Sequence, residues 1–309
     1  MTRAVVFAYH NVGCGCLEVL LRHGMEVALV VTHRDNPDEN IWFDSVEKLA
    51  RSHGIETATP DDPNAPEFVA RVANLKADFL FSFYYRHMLS PAMLATATRG
   101  AFNMHGSLLP KYRGRVPINW AILKGETETG ATLHEMVAKP DAGRIVDQQA
   151  VAILPDDNAL DVFKKVTHAA AMTLDRALPG LVAGTANLRE QDLAQGSYFG
   201  GRKAEDGVIN WNDSAVNIHN LVRAVAPPYP GASTTVAGHR MIVTRTALAP
   251  AHLTHDQPGV LNVSSARCIA LCGDGRMLRV LEAQIDGKMH DETTLGALLG
   301  VGIHPLGIY

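Results

Sequence analysis

The first half of the chain alternates short apolar runs with stretches of helical periodicity, and this alternation restricts the fold more than any other feature. The runs AVVFAY, EVALVVTH and ADFLFSF have the length and the β-branched or aromatic content of buried strands. Between them lie GCGCLEVLLRHG, SVEKLARSHG and PEFVARVANL, which have the pattern of amphipathic helices. The alternation predicts an α/β domain: a Rossmann-like, mostly parallel sheet with helices on both faces.

A long helix is predicted for DNALDVFKKVTHAAAMTLDRALPGLV, which Asp157 or Asn158 can cap. The composition and periodicity of the sequence change after this helix. A mixed polar stretch follows and is typical of a linker. Beyond it, one short helix and several short strands separated by turns predict a small OB-like β-barrel. We therefore expect a catalytic domain over 1–190, a linker over 191–206 and a C-terminal barrel domain over 207–309.

Charge and cysteine content exclude several classes of protein. The net charge is −4, whereas nucleic-acid binders usually carry a basic surplus. The four cysteines, at 14, 16, 268 and 272, do not have the usual spacing of zinc ligands. The amino-terminal apolar run is too short for a signal peptide, and no stretch has the length of a membrane span. We expect a cytoplasmic protein with no metal site.

The stretch AFNMHGSLLPKYRGRVP has a composition that a packed core does not require. If GAFNMH is a strand, Asn103 and His105 point to the same side, because side chains in a strand alternate. They would lie near the carboxyl end of the strand, where open α/β sheets bind ligands. An amide can stabilise a developing oxyanion and an imidazole can transfer a proton. The alternative is a histidine whose hydrogen bonds are satisfied by loop backbone.

Other polar groups have both a functional and a structural interpretation. Asp141, in AKPDAG, could stabilise the imidazolium of His105, or could be an ordinary turn aspartate. The basic residues at 111, 113 and 115 could form a solvated loop or bind an anion. FYYRHML could bind a flat heteroaromatic ligand or could simply leave the core. The glycines of YHNVGCGC could form a phosphate-binding helix start or a tight turn.

Two separated stretches, FNMHGSLLPKYRGRVPINWAI and ETETGATLHEMVAKPDAGRIV, resemble the folate-dependent formyltransferases, which use Asn-x-His and a later Asp in this order. EDGVINW and VRAVAPPYPGA resemble the C-terminal barrel domain of that family. The resemblance extends over nearly the whole chain. It implies transfer of a formyl group from 10-formyltetrahydrofolate to an amine, without a metal, and assigns catalysis to Asn103, His105 and Asp141.

The resemblance also implies which residues line the folate site. By position they are His87, Met88, Leu89, Arg115, Val137, Ala138, Lys139, Pro140 and Asp141. His105 would move protons between the attacking amine and the leaving folate nitrogen. Asn103 and the protonated His105 would stabilise the tetrahedral oxyanion.

Within the family, VVFAYHNVGC, THRDNP and FSFYYRH most resemble the formyltransferase half of the bifunctional polymyxin-resistance protein. That half formylates UDP-4-amino-4-deoxy-L-arabinose for lipid A modification, so a sugar nucleotide is the expected partner. Alternatives are a dTDP-linked 4-amino-deoxyhexose and charged initiator tRNA. The tRNA enzymes carry a basic insertion where this chain has the acidic RDNPDENIWFDS, so no nucleic-acid partner is expected. The oligomeric state does not follow from the sequence.

Overall fold

The computed structural model describes residues 1–36, 39–252, 257–265 and 267–307. The chain forms two compact units. The N-terminal unit comprises Met1–Pro117, Glu128–Val151 and Lys164–Gly200, and the C-terminal unit comprises Ile118–Thr127, Ala152–Phe163 and Gly201–Tyr309. The domain boundaries expected from the sequence remain a prediction.

The N-terminal unit is built on a seven-stranded sheet of order β3-β2-β1-β4-β5-β7-β8. The strands of this unit are β1 (Arg3–Ala8), β2 (Glu26–Val31), β3 (Thr57–Ala58), β4 (Phe79–Phe83), β5 (Gly100–His105), β6 (Arg113–Gly114), β7 (Glu128–Glu135), β8 (Ile145–Ala152) and β9 (Tyr198–Phe199). The pairs β1–β2, β1–β4, β2–β3 and β4–β5 are parallel. β7 runs antiparallel to β5, and β6 pairs with β9 in a separate two-stranded ribbon.

Helices cover both faces of this sheet. They are α1 (His10–Arg22), α2 (Val46–Ser52), α3 (Pro66–Asn74), α4 (Pro91–Leu94) and the part of α6 (Ala159–Ala183) that follows Phe163, whereas α5 (Pro117–Leu123) lies almost wholly in the C-terminal unit. On one face, Phe68 of α3 and Met93 of α4 share a buried cluster with Phe7 and Leu80 of the sheet. On the other, α1 packs so closely that a Cβ at Gly13 would lie 3.1 Å from Cβ of Ala8.

The C-terminal unit contains a closed antiparallel barrel. Its strands are β10 (Ala232–Val236), β11 (His239–His252), β12 (Val260–Val263), β13 (Cys268–Leu271), β14 (Arg276–Ile285), β15 (Lys288–Asp291) and β16 (Gly302–Gly307), with α7 (Ala215–Val225) and α8 (Glu292–Leu299). Six strands form the ring β11-β10-β16-β12-β13-β14, which the pairing of β11 with β14 closes, and β15 extends β14. Alternate side chains fill its interior, including Met241, Val243, Leu261 and Val280.

The predicted fold class, a Rossmann-like sheet followed by a small barrel, is confirmed. Asn158 is the cap of α6, since its Oδ1 accepts the backbone N–H groups of Leu160 and Asp161 at 2.8 and 3.0 Å. The glycines of YHNVGCGC form neither a turn nor a phosphate loop, because Gly13 and Gly15 lie inside α1. Among the described residues, no helix has the length and hydropathy needed to cross a bilayer.

Candidate active site

Strand β5 carries the Asn-x-His pair, and the alternation of its side chains places Asn103 and His105 on one face. β5 pairs with β4 on one side and β7 on the other, with Asn103 opposite His134 and His105 opposite Thr132. The His105 ring is buried, and its Nε2–H donates to the carbonyl oxygen of Tyr112 at 2.8 Å. The other ring nitrogen, Nδ1, lies 3.5 Å from Oδ1 of Asp141.

Asp141 therefore reaches the imidazole, although its position in a loop could not be placed from sequence. Its Oδ2 accepts the backbone N–H of Gly114 at 2.8 Å, and its φ of +51° is in the left-handed region that few residues other than glycine adopt. Burial alone would raise the pKa of this carboxyl, but the imidazoles of His105 and His134 and the Gly114 N–H outweigh burial and hold the pKa well below its usual range.

A second imidazole, which the sequence interpretation missed, completes the cluster. Nε2 of the buried His134 lies 3.5 Å from Oδ1 of Asp141 and 3.1 Å from Nδ2 of Asn103. Its Nδ1–H donates to the Glu135 carbonyl at 2.7 Å, so in the neutral ring Nε2 accepts from Asn103. That contact uses one of the two amide hydrogens of Asn103, and the other can reach a ligand. We name Asn103, His105, His134 and Asp141, the candidates for catalysis, the catalytic cluster.

The loop between β5 and α5 is anchored to β7 by a network of hydrogen bonds. Thr132 Oγ1 donates to the carbonyl of Ser107 at 2.6 Å and accepts the N–H of Leu109 at 3.1 Å. The side-chain amide of Gln148 donates to Leu109 O at 2.9 Å. This network holds the loop, so the Tyr112 carbonyl keeps its place beside His105.

Gly114 is required where this loop meets the catalytic cluster. Its φ is +98°, and a Cβ there would lie 2.1 Å from the carbonyl oxygen of Phe199 on β9. We expect Gly114→Ala to destabilise the protein by at least about 2 kcal/mol and to lower the unfolding temperature by about 4–8 °C in a thermal melt. Gly200→Ala is the control, because a Cβ there has open space. Equal melting temperatures for the two variants would contradict the requirement.

The two segments expected to bind folate, 87–89 and 137–141, both adjoin the same hydrophobic cluster of the sheet. Leu89 is buried in the hydrophobic cluster of the sheet, and Met136, which precedes Val137, packs against the same cluster. Met88 and Val137 are 58% and 42% exposed, so both offer apolar surface beside it. The other residues predicted in these segments are also accessible: His87, Ala138 and Lys139 are exposed, and Pro140 is partly exposed.

Side chains next to these segments have definite partners. The ring of His87 lies 5.0 Å from that of His33, which stacks on Tyr85 at 4.2 Å. Arg86 makes a bidentate ion pair with Glu39 at 2.8 and 2.9 Å and lies over the ring of Tyr9. FYYRHML is therefore in part a strand end leaving the core, and Arg86, His87 and Met88 are its exposed members.

The basic residues of the loop do not share one environment. Lys111 and Arg115 are exposed, and the Arg115 backbone N–H donates to Phe199 O at 2.9 Å. Arg113 is only 8% exposed, so the interpretation of a solvated basic loop is wrong for this residue. Within the part of the chain that the structure describes, the Nε of Arg113 is buried and has no hydrogen-bond partner. A guanidinium in this state can bind an anion.

The catalytic cluster can stabilise negative charge on an oxygen and can transfer a proton, and among the described residues no group of His, Cys, Asp and Glu is placed to hold a metal ion. In an α/β fold, such a cluster suits the transfer of an acyl-type group, because this reaction forms an oxyanion and moves a proton. A family model described as formyl transferase matches residues 15–178, and one described as formyl transferase, C-terminal domain, matches 202–293. The first match covers more than half of the chain, so the protein belongs to the formyl transferase family, and the predicted class of enzyme is confirmed.

Solved structures share the fold over nearly the whole chain. An N-formyltransferase from Helicobacter canadensis, in complex with folinic acid and dTDP-3-aminofucose, is 20% identical, with a TM-score of 0.72 over 91% of this chain and 99% of the other. The sugar 3N-formyltransferase WlaRD, with dTDP and 5-N-formyl-tetrahydrofolate, is 20% identical, with a TM-score of 0.70 over 93% and 99%. HypX from Aquifex aeolicus, with tetrahydrofolic acid, is 18% identical, with a TM-score of 0.63 over 97% and 47%.

Proposed function

We propose that the protein transfers the formyl group of 10-formyltetrahydrofolate to the 4-amine of a nucleotide-linked aminosugar, with UDP-4-amino-4-deoxy-L-arabinose as the first candidate acceptor and lipid A modification as its setting. The observation that carries the proposal is the Asp141 carboxylate, held between two imidazoles beside the Asn103 amide. The similar structures in complex with a folate or an aminosugar nucleotide support both the donor and the class of acceptor.

The chemistry follows from the groups in the cluster. The neutral amine attacks the formyl carbon, and the resulting oxyanion accepts hydrogen bonds from the Asn103 amide and from protonated His105. His105 then passes its proton to the folate nitrogen as the bond from that nitrogen to the formyl carbon breaks, and it takes up the proton that the attacking nitrogen loses, which restores the imidazolium. Its Nδ1 is the nitrogen that exchanges protons, because the 3.5 Å contact to Asp141 is looser than the 2.8 Å bond from Nε2 to Tyr112. Asp141 stabilises the imidazolium.

Two sets of groups would hold the substrates. Met88 and Val137, exposed beside the cluster that contains Leu89, offer an apolar edge to the pterin. Arg113 is the candidate for the anionic part of the sugar nucleotide or of the folate, because it is a buried cation whose Nε has no hydrogen-bond partner among the described residues. The folate residues named from the resemblance remain part of this proposal.

Transfer to tRNA is the less favoured alternative. Three side-chain hydrogen bonds hold the acidic stretch 34–45: Tyr9 donates to Asp35, Arg86 to Glu39 and Asn11 to Asp44. Pro37 and Asp38 of this stretch lie outside the described residues. A segment with this charge would repel an acceptor stem. A dTDP-linked aminosugar has a specific observation in its favour, the Helicobacter canadensis complex.

One assay distinguishes these acceptors. The protein is given 10-formyltetrahydrofolate with UDP-4-amino-4-deoxy-L-arabinose, with a dTDP-linked amino-deoxyhexose or with charged initiator tRNA, and release of tetrahydrofolate is followed. We expect kcat/KM for the UDP sugar to exceed that for the dTDP sugar about 5-fold or more, because dTDP lacks the ribose 2′-hydroxyl and one lost hydrogen bond costs about 1 kcal/mol, and we expect no turnover with tRNA. A faster reaction with the dTDP sugar would replace the first candidate, and turnover with tRNA alone would refute the proposal.

A further inference from the structure

The segment that follows α6 is attached to the catalytic cluster although its sequence is typical of a linker. We name residues 189–199 the strap. Arg189 and Ile145 exchange two backbone hydrogen bonds of 2.8 and 2.7 Å, which brings the strap alongside the start of β8, just after the loop that carries Asp141. At its other end β9 pairs with β6 in the loop that carries Gly114. The strap therefore contacts both loops that meet at the Asp141 carboxylate.

Gln191 is the strap residue that reaches the Asp141 loop. Its Nε2 donates to the carbonyl oxygens of Asp141, at 3.0 Å, and Gly143, at 2.6 Å. Two carbonyl acceptors fix the orientation of the amide, because only its NH₂ group can satisfy them. Its Oε1 is buried and has no hydrogen-bond partner within the described residues. The arrangement therefore satisfies the hydrogen-bonding capacity of the loop carbonyls and leaves that of the glutamine oxygen unsatisfied.

The loop needs this support because its backbone is constrained. Asp141 has φ of +51°, and Gly143 passes so close to β7 that a Cβ there would lie 2.1 Å from the Glu135 carbonyl oxygen. Residues in such conformations persist only when their surroundings hold them. We propose that Gln191 is a positioning residue, which holds the Asp141 backbone so that its carboxylate lies between His105 and His134. This inference rests on the proposed role of Asp141 in formyl transfer.

The test uses Gln191→Glu, which keeps the shape but turns an acceptor toward two carbonyls, and Gln191→Met, which removes the donor without adding charge. We expect kcat to fall about 10-fold or more in both, because small displacements of catalytic groups have effects of this size, with KM for the folate changed less than threefold. Gln195→Glu is the matched control on the same strap, since Gln195 is exposed and its Nε2 donates to Asp192. Unchanged kcat in both Gln191 variants would overturn the proposal.

A double variant separates positioning from general stability. If Gln191 acts through Asp141, Gln191→Glu added to Asp141→Asn should slow the enzyme no further, whereas independent roles would multiply the two losses. Full multiplication of the losses would overturn the proposal.

The final readout needs no substrate. The ring signals of His105 and His134 in the NMR spectrum of the substrate-free protein should move in Gln191→Met and stay in place in Gln195→Glu. Ring signals that stay in place in every variant would contradict positioning. If no aminosugar is formylated, the proposed acceptor fails, but this spectroscopic comparison still decides the role of Gln191.

Discussion

The Asp141→Asn variant is expected to lose about 100-fold or more in kcat while keeping the fold of the N-terminal unit. Asparagine has the same shape and can still accept the N–H of Gly114, but it brings no negative charge to the two imidazoles that lie 3.5 Å from Oδ1. Without that charge the protonated form of His105 is no longer stabilised, and proton transfer by a positioned histidine contributes about 10²–10⁴-fold in enzymes of many kinds. Steady-state kinetics with 10-formyltetrahydrofolate and the best acceptor would measure the loss.

The chain offers a matched control for this variant. Asp175 also contacts a histidine, His23 at 2.9 Å, but the pair is on the surface, with half of the Asp175 side chain exposed. We expect Asp175→Asn to change kcat less than twofold. A similar loss in both variants would mean that any aspartate–histidine pair matters for folding, and the catalytic role would fail.

The lowered pKa of Asp141 predicts how the stability of the protein depends on pH. Its pKa lies below the ordinary value in the folded protein, so the contribution of its charge to stability is fully present above the pKa of an unfolded aspartate, about 3.9, and is lost as the pH falls further. The difference in unfolding free energy between the wild type and Asp141→Asn should therefore shrink as the pH falls from 5 to 3. Urea unfolding across that range would measure it, and a difference that grows toward low pH would contradict the sign.

The Asn103→Ala variant is expected to lose about 10²–10³-fold in kcat, the usual cost of removing one oxyanion donor. The KM for the folate should change little, because the amide acts on charge that develops only in the transition state. Truncation also removes the donor to Nε2 of His134, so the ring can turn toward Asp141. Asn217→Ala, at an exposed position where Nδ2 donates to Asp213, is the control. A variant that retains most of its activity would remove Asn103 from the mechanism.

The parts of the molecule that the sequence predicted are those with local signals. Strands β1, β2 and β4 were evident as apolar runs, and the two-residue spacing of Asn103 and His105 sufficed to place them on one face of β5. The barrel followed from short alternating segments, although one short helix was expected and the structure has two, α7 and α8.

The rest depends on contacts between distant residues. His134 faces Asn103 only because β7 pairs with β5 in an antiparallel register, and no local pattern specifies that register. A signal was available, since His134 lies on an alternating strand directly before the Asp141 loop. The burial of Arg113 and the attachment of the strap could not be read from composition, because polar residues whose partners are backbone groups look the same as residues in a linker.

The path of the chain after α6 bears on how small a working fragment can be. A truncated protein that stops at Ala183 would retain Asn103, His105, His134 and Asp141, together with every strand of the seven-stranded sheet. It would lack the edge partner of β6 and the amide that supports the Asp141 turn. Such a fragment should turn over poorly, and extending it through Gly200 should restore the pairing of β6 and the support of the Asp141 turn.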